Sequence, residues 1–592
     1  MKSEKAAAAS RLPAALSKQV TAEGKGRPSQ PHNRFATFFG LAALCTVLTA
    51  IDVAPERGGP GVTCDEFYHI SYGKRLVASF HANGLGSFRP SCIESTFAWR
   101  KDGPPVHPPL GNWVLGWANW LFDPEPFNPL RVAITPARLG TAICFGCLAL
   151  IVGLFCAAHF GTISGVIAVV SLVCMPRLFG HAHLAALDLI TATMCTATIV
   201  AVTWAEQHKR WYSLIVAGVI WGLALLTRFH GLLCLPPVVC YLCYRYRWRA
   251  MPLAMLWLIS GLITFFLGWP WLWLDPLGHI QQYLISSTQR IHIHTFYLGR
   301  VWNDTVVPWH YPWVMFLVTL PPGLLFLGLA GIISPFLRAR SISETQQKVS
   351  TTEPAGIWLV FGTICFFLLV FSLPGVPVYD GVRLFLPVYP LWAILVGQGT
   401  LVASTYLKCT MQRHHTLRAI LVCAFFASQA VGTVWFRPVW LSYYNCLVGG
   451  LAGAEKLGFE VNYWGDALTE EILCRAAEQI RPGESLSFAP SLAPYQAAGI
   501  LVASPCLMKQ EILLKAWSQE TDDESTISRW LLIYHRRSDL PESLVRLIDE
   551  RPAVAEVTRQ GVWLAKLIAL GGADVTRPAV NGSDPTASSE SP

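Results

Sequence analysis

The chain has 592 residues, of which Asp, Glu, Lys and Arg make only 14% while apolar residues, counting Tyr and Cys, make 53%. Soluble domains carry about 25% charged residues, and a mean hydropathy of +0.41 leaves too little charge to cover a water-soluble surface of this size. The composition excludes an ordinary soluble enzyme and indicates a chain that crosses a membrane many times. The net charge of +8 does not indicate nucleic acid, because the basic residues fall in short clusters between apolar runs rather than on one face.

Residues 1–34 carry Lys2, Lys5, Arg11, Lys18, Lys25, Arg27 and Arg34 against Glu4 and Glu23, in an Ala-, Ser- and Pro-rich context. This reads as a disordered basic cytoplasmic tail. The apolar run 35–54 has a long leader and no clean small-x-small site after it, so a retained first span is expected rather than a cleaved signal. Further apolar runs follow at 136–159, 161–176, 184–204, 211–227, 230–244, 251–274, 311–333, 356–373, 384–405 and 418–436. They predict about eleven spans in an all-α transmembrane domain covering 35–436. With the N-terminus inside, Lys209/Arg210, Arg245/Arg247/Arg249, Arg338/Arg340/Lys348 and Lys408/Arg413/Arg418 all fall in cytoplasmic loops.

That orientation places the loop 55–135, the loop 275–310, the turns 177–183 and 374–383, and everything after Trp435 outside. Residues 437–570 regain normal charge density, with strand-like runs at 485–489, 530–534 and 562–568 and a polar helical stretch at 538–550. They predict a small extracytoplasmic α/β domain. The Gly-, Ser- and Pro-rich end, 571–592, reads as disordered. Most of the cysteines lie in spans; Cys64 and Cys92 lie in the first outer loop, where they are either a disulfide or two free thiols.

The first outer loop opens Cys64-Asp65-Glu66-Phe67-Tyr68-His69-Ile70-Ser71-Tyr72-Gly73-Lys74-Arg75. An acidic pair on an amphipathic stretch just after a span sets a carboxylate at headgroup level, where it can be a general base or simply a favourable helix start. The loop then runs Val106-His107-Pro108-Pro109-Leu110-Gly111-Asn112-Trp113, an extended entry into a helix with interfacial tryptophans. Asp188 opens an apolar helix, and a carboxylate at such depth needs a wet cavity or a cationic partner, Arg177 and Arg228 being candidates. The pairs His181-x-His183 and His292-x-His294 lack a Cys or carboxylate that would complete a tetrahedral metal set, so no metal is expected.

Asp65-Glu66 with His69 and Gly73, followed by Val106 to Gly111, resembles the Asp-Glu and His-Pro-Pro-Leu-Gly elements of the first luminal loop of dolichyl-phosphate-mannose:protein mannosyltransferases. The wider resemblance, over 35–436, is to the C-type glycosyltransferase superfamily, including bacterial aminoarabinose-transferase-like relatives that use polyprenyl-phosphate sugars. Tyr443-Tyr444-Asn445 and Tyr463-Trp464-Gly465-Asp466 are similar to the segment after the last span of bacterial members. The resemblance implies Asp65 as base with Glu66 beside it, and His107, Arg138 (or Arg131), Asp188 and Arg383 as substrate-binding residues. It implies no cofactor or metal, and a polyprenyl-phosphate sugar donor, such as a mannose-like hexose, whose acceptor is a protein, lipid or glycan. Arg138 and Arg383 otherwise anchor helix ends by snorkelling. A transporter is the rival of a different class, but the chain lacks the repeated halves that transporters usually show.

Overall fold

The computed structural model describes residues 31–98, 107–128, 131–288, 292–345, 356–490, 494–517 and 528–570. The tail 1–30, Val106 and 571–592 lie outside the described residues. All of the apolar runs are helical, but five helices are long and apolar enough to cross a membrane, or seven if each of two bent pairs is one span. Three shorter apolar helices, Arg34–Ala50, Trp211–Leu225 and Ile357–Val370, accompany them.

Prolines account for the bends. The run expected at 161–176 becomes Thr162–Val173 followed by Pro176–Ala182 at 76°, and the run at 311–333 becomes Tyr311–Thr319 followed by a helix from Pro322 at 114°. Proline lacks the N–H that would continue the ladder and clashes with the preceding turn. Helices Leu187–His208 and Val388–Thr410 form the buried centre, with Ile134–Phe160 beside them. Helix His415–Trp435 is outermost and exposes Ile420, Leu421, Val431 and Val434, as a lipid-facing helix does.

Small residues set the closest crossings. Helix Glu66–Asn83 meets helix Leu110–Phe122 at Gly73 and Gly116, where a Cβ on Gly116 would sit 2.3 Å from the Gly73 carbonyl oxygen. Helices Trp211–Leu225 and Ala250–Gly268 run parallel through Gly218, Gly222 and Gly261, with Trp221 stacked on Trp257 at 4.4 Å.

Outside the helical region lie two sheets. β1 (His294–Tyr297) and β2 (Arg300–Asn303) form an antiparallel hairpin. A five-stranded sheet has the order β4-β3-β5-β7-β6, with β3 (Ser485–Ala489), β4 (Leu513–Ala516), β5 (Trp530–Tyr534), β6 (Ala553–Arg559) and β7 (Val562–Ala569). β3 pairs parallel with β4 and β5, whereas β7 pairs antiparallel with β5 and β6. The helix expected over 538–550 begins at Glu542, because Pro541 takes the position before its first turn. Cys64 and Cys92 are free; the disulfide joins Cys474 to Cys506 in the sheet-containing part.

Candidate functional site

Asp65 stands immediately before the first turn of helix Glu66–Asn83. The next residue, Glu66, is fully buried and saturated. It accepts from Arg138 Nε and Nη2, each at 2.7 Å, from the Thr63 backbone and hydroxyl, and from the Ala185 backbone N–H at 2.7 Å. Arg138 gives its remaining hydrogen bonds to the carbonyls of Val53, Pro60 and Gly61. All its nitrogens are thus engaged by protein, and none is exposed. The Glu66–Arg138 pair clamps the segment just after helix Arg34–Ala50, the start of the loop helix and the turn before Asp188 into one unit.

The two loop motifs pack on each other. His69 Nδ1 is 3.1 Å from Asn112 Oδ1, the His69 ring lies 5.6 Å from the His107 ring, and Gly73 meets Gly116. Burial holds His69 down to about 4, despite the opposing charge of Asp65, and holds His107 well below its ordinary value. Both rings are therefore neutral, His69 as a hydrogen-bonding group on Asn112 and His107 as a packing group against the His69 ring.

Arg383 is the hub. It lies in the loop before helix Val388–Thr410 and binds three carboxylates: Asp65 through Nη2, Asp188 through Nε at 3.2 Å, and Asp380 through Nη1 at 3.0 Å. Its guanidinium also stacks over Trp464 at 4.1 Å. Burial alone would lower its pKa, but Asp188, Asp65 and Asp380 outweigh this and hold it well above the ordinary value. Asp188, in the first turn of its helix, takes a second cation in Arg228. Arg177 is not its partner; that guanidinium stacks on Tyr444 at 4.5 Å. Asp65 is the open member of the cluster, its side chain 25% exposed against 2% for Asp188.

The part of the chain after helix His415–Trp435 closes the site. Arg536, just past β5, reaches Asp380 at 3.2 Å and Asp539 at 2.5 Å, and donates to the Tyr463 carbonyl. Burial pushes the Asp380 carboxyl up, opposed by Arg536 and Arg383. Tyr495 places its hydroxyl 3.9 Å from Cys64 Sγ, and Gly499 lies against Phe67. Several buried groups nearby have no protein partner: both His181 ring nitrogens, Asn112 Nδ2, Trp464 Nε1 and Gln496 Nε2. Such groups are costly unless water or a ligand satisfies them.

The structure brings Asp65, Asp188 and Arg383 into direct contact and sets Glu66 and Arg138 behind them as a closed pair. His107 borders the loop helix, one ring away from the cluster through His69. Trp464 lies in the Tyr463-Trp464-Gly465-Asp466 segment but carried no role there, and neither Asp380 nor Arg536 is marked by a motif. Among the described residues the one group with metal-ligand spacing is Glu470, Cys474 and Cys506, whose sulfurs are joined to each other.

Residues 106–273 match the family model for dolichyl-phosphate-mannose-protein mannosyltransferases. No curated protein matches the chain in sequence. Among solved structures, ArnT from Cupriavidus metallidurans in the apo state is 14% identical, with 90% of this chain and 97% of that chain covered at a TM-score of 0.47. The same protein bound to undecaprenyl phosphate is 13% identical, with the same coverage and a TM-score of 0.45. An oligosaccharyltransferase of Archaeoglobus fulgidus is 10% identical, covering 83% of this chain and 68% of that one at 0.42. The chain resembles the C-type glycosyltransferase superfamily of polyprenyl-phosphate-sugar transferases.

Proposed function

We propose that the protein is an integral-membrane glycosyltransferase that moves a sugar from a polyprenyl-phosphate donor to an acceptor hydroxyl on the extracytoplasmic face. The observation that carries this reading is the grip of one buried arginine, Arg383, on three carboxylates, of which only Asp65 is open. Arginine matches phosphate geometry. An arriving donor phosphate competes for the Nη2 side of Arg383 and releases Asp65. The freed carboxylate takes the acceptor hydroxyl proton, the acceptor oxygen bonds to C1 of the sugar, and the C1–O bond breaks with its electrons left on the lipid phosphate. Arg383 and Arg228 hold that charge. Glu66 and Arg138 position Asp65 from behind rather than touching substrate, since neither has a free hydrogen-bonding atom. The unpartnered donors of Asn112, Trp464 and Gln496 suit the oxygens of a sugar phosphate.

The acceptor we favour is a glycolipid or polysaccharide hydroxyl, as in aminoarabinose-transferase-like enzymes. The sequence lacks the large trefoil-like insert of eukaryotic protein mannosyltransferases. Protein O-mannosylation is the second reading, supported by the family match over 106–273. The topology we propose has about eleven spans over 35–436, the N-terminus in the cytoplasm and residues 437–570 outside. The Cys474–Cys506 disulfide supports the last point, because disulfides persist in oxidising compartments. Purified protein incubated with a panel of radiolabelled polyprenyl-phosphate sugars should release free lipid phosphate with at least one donor. No release from any member, in the presence of both lipid and glycan acceptors, would sink the reading.

A further inference from the structure

A second polar cluster lies far from Asp65. Glu206 is eighteen residues along the same helix as Asp188, which is about 27 Å at 1.5 Å per residue, close to the thickness of a bilayer's hydrocarbon core. It accepts from Arg245 Nε at 2.5 Å and from the Tyr241 hydroxyl, both on helix Leu235–Tyr246. The Gly356 backbone, at the start of helix Ile357–Val370, packs on Thr203 at the same level. The parallel pairing of Trp211–Leu225 with Ala250–Gly268 brings Arg210 level with Arg249. Several helix ends therefore share one membrane surface.

That surface is basic and aromatic. Lys209, Arg210, Arg247 and Arg249 are exposed, and Glu206, the acid of these segments, is already held by Arg245. Trp211, Tyr244 and Trp248 are exposed among them, Trp248 almost completely, as interfacial anchors are. Directly below Tyr244 an apolar groove of about 320 Å³ runs between helices Leu235–Tyr246 and Ile357–Val370, lined by Pro237, Cys240, Tyr244, Trp358, Gly362 and Phe366. From residue 358 to 366 it extends about 12 Å along the helix, from the basic rim toward mid-membrane.

We propose that this groove and its rim form a binding site for an anionic phospholipid. One acyl chain lies in the groove, and the phosphate headgroup lies among Arg247, Arg249, Lys209 and Arg210. Charge complementarity selects the occupant: a neutral or zwitterionic lipid fits the groove equally well but leaves the rim uncompensated, whereas basic residues at the surface attract an anionic headgroup. The proposal rests on the chain lying in a membrane and is independent of the transfer chemistry.

The test is native mass spectrometry of the full chain in detergent, titrated separately with palmitoyl-oleoyl phosphatidylglycerol and palmitoyl-oleoyl phosphatidylcholine. The phosphatidylglycerol should bind about tenfold tighter or more. The double substitution R247Q/R249Q should abolish that preference and leave phosphatidylcholine binding as it was. Gly362→Leu should weaken both lipids by filling the groove; a Cβ there meets no atom within 4 Å, so the fold tolerates it. Equal affinity for the two lipids in the wild-type protein would overturn the proposal, as would phosphatidylglycerol binding that survives both variants unchanged.

Discussion

Asp65 and Glu66 are neighbours in sequence with opposite environments, one open beside Arg383 and the other sealed against Arg138. Asp65→Asn keeps shape and hydrogen bonding but removes the base, so turnover should fall about 100- to 10,000-fold. Donor binding, measured by displacement of a labelled lipid phosphate, should be retained or tightened, because the phosphate no longer competes with the Asp65 charge for Arg383. Retained turnover in that variant would move the base to another carboxylate. Glu66→Gln should fail differently. It leaves the buried Arg138 guanidinium without its counter-charge, at a cost of about 3–5 kcal/mol, so the protein should lose thermal stability before catalysis can be compared. If Glu66→Gln melts like wild type and is inactive, Glu66 has a chemical role that its saturated oxygens do not suggest.

At the level of elements, the Gly73–Gly116 crossing is what lets the two loop helices approach closely enough for His69 to meet Asn112. Gly73→Val puts a branched side chain where the Asn112 carbonyl oxygen already lies 2.4 Å from a Cβ. It should cost about 1–3 kcal/mol as an overpacked contact, read as a lower melting temperature, and Gly86→Val, at an uncrowded turn, should not. Apolar runs located the helices in the sequence because burial and lipid both select the same residues. Breaks at Pro176 and Pro322 were legible only as prolines, since composition does not say which ones bend a span. The strands β3, β5 and β7 read as apolar runs, whereas β6 alternates exposed and partly buried residues at an edge and β4 is four residues long. Motif resemblance and depth in the chain singled out Asp65, Asp188 and Arg383 separately, and the structure sets both carboxylates on that one arginine. Arg536 could not be found that way, because it reaches Asp380 from a part of the chain more than a hundred residues later.

For the whole molecule, the junction between the helical region and the sheet-containing part depends on pH through Glu460. Its carboxylate accepts the backbone N–H groups of Arg537 and Ser538, yet burial pushes its pKa up to about 7, opposed by Arg536 and those hydrogen bonds. A carboxyl raised in the fold holds its proton where the unfolded chain, at 4.5, has lost it. Its contribution is therefore full below about pH 4.5 and is lost as pH rises through about 7. The melting temperature followed from pH 4.5 to 7.5 should contain this downward component, and Glu460→Gln should flatten it. A slope unchanged by that substitution would mean that another group sets the pH response. Arg536→Gln tests the same junction from the other side: by loosening Asp380 it should raise the KM for donor more than it lowers kcat, and Lys at that position should restore part of the loss.

The series Arg536, Asp380, Arg383, Asp65 alternates in sign across the boundary between the two parts of the protein. An attempt to graft the last 150 or so residues of a distant homologue onto these helices would therefore inherit a charge imbalance unless the donor also supplied its own 372–387 loop. The unit of exchange, in recombination or in engineering, is a pair of segments far apart in the gene, and a single crossover point cannot deliver it.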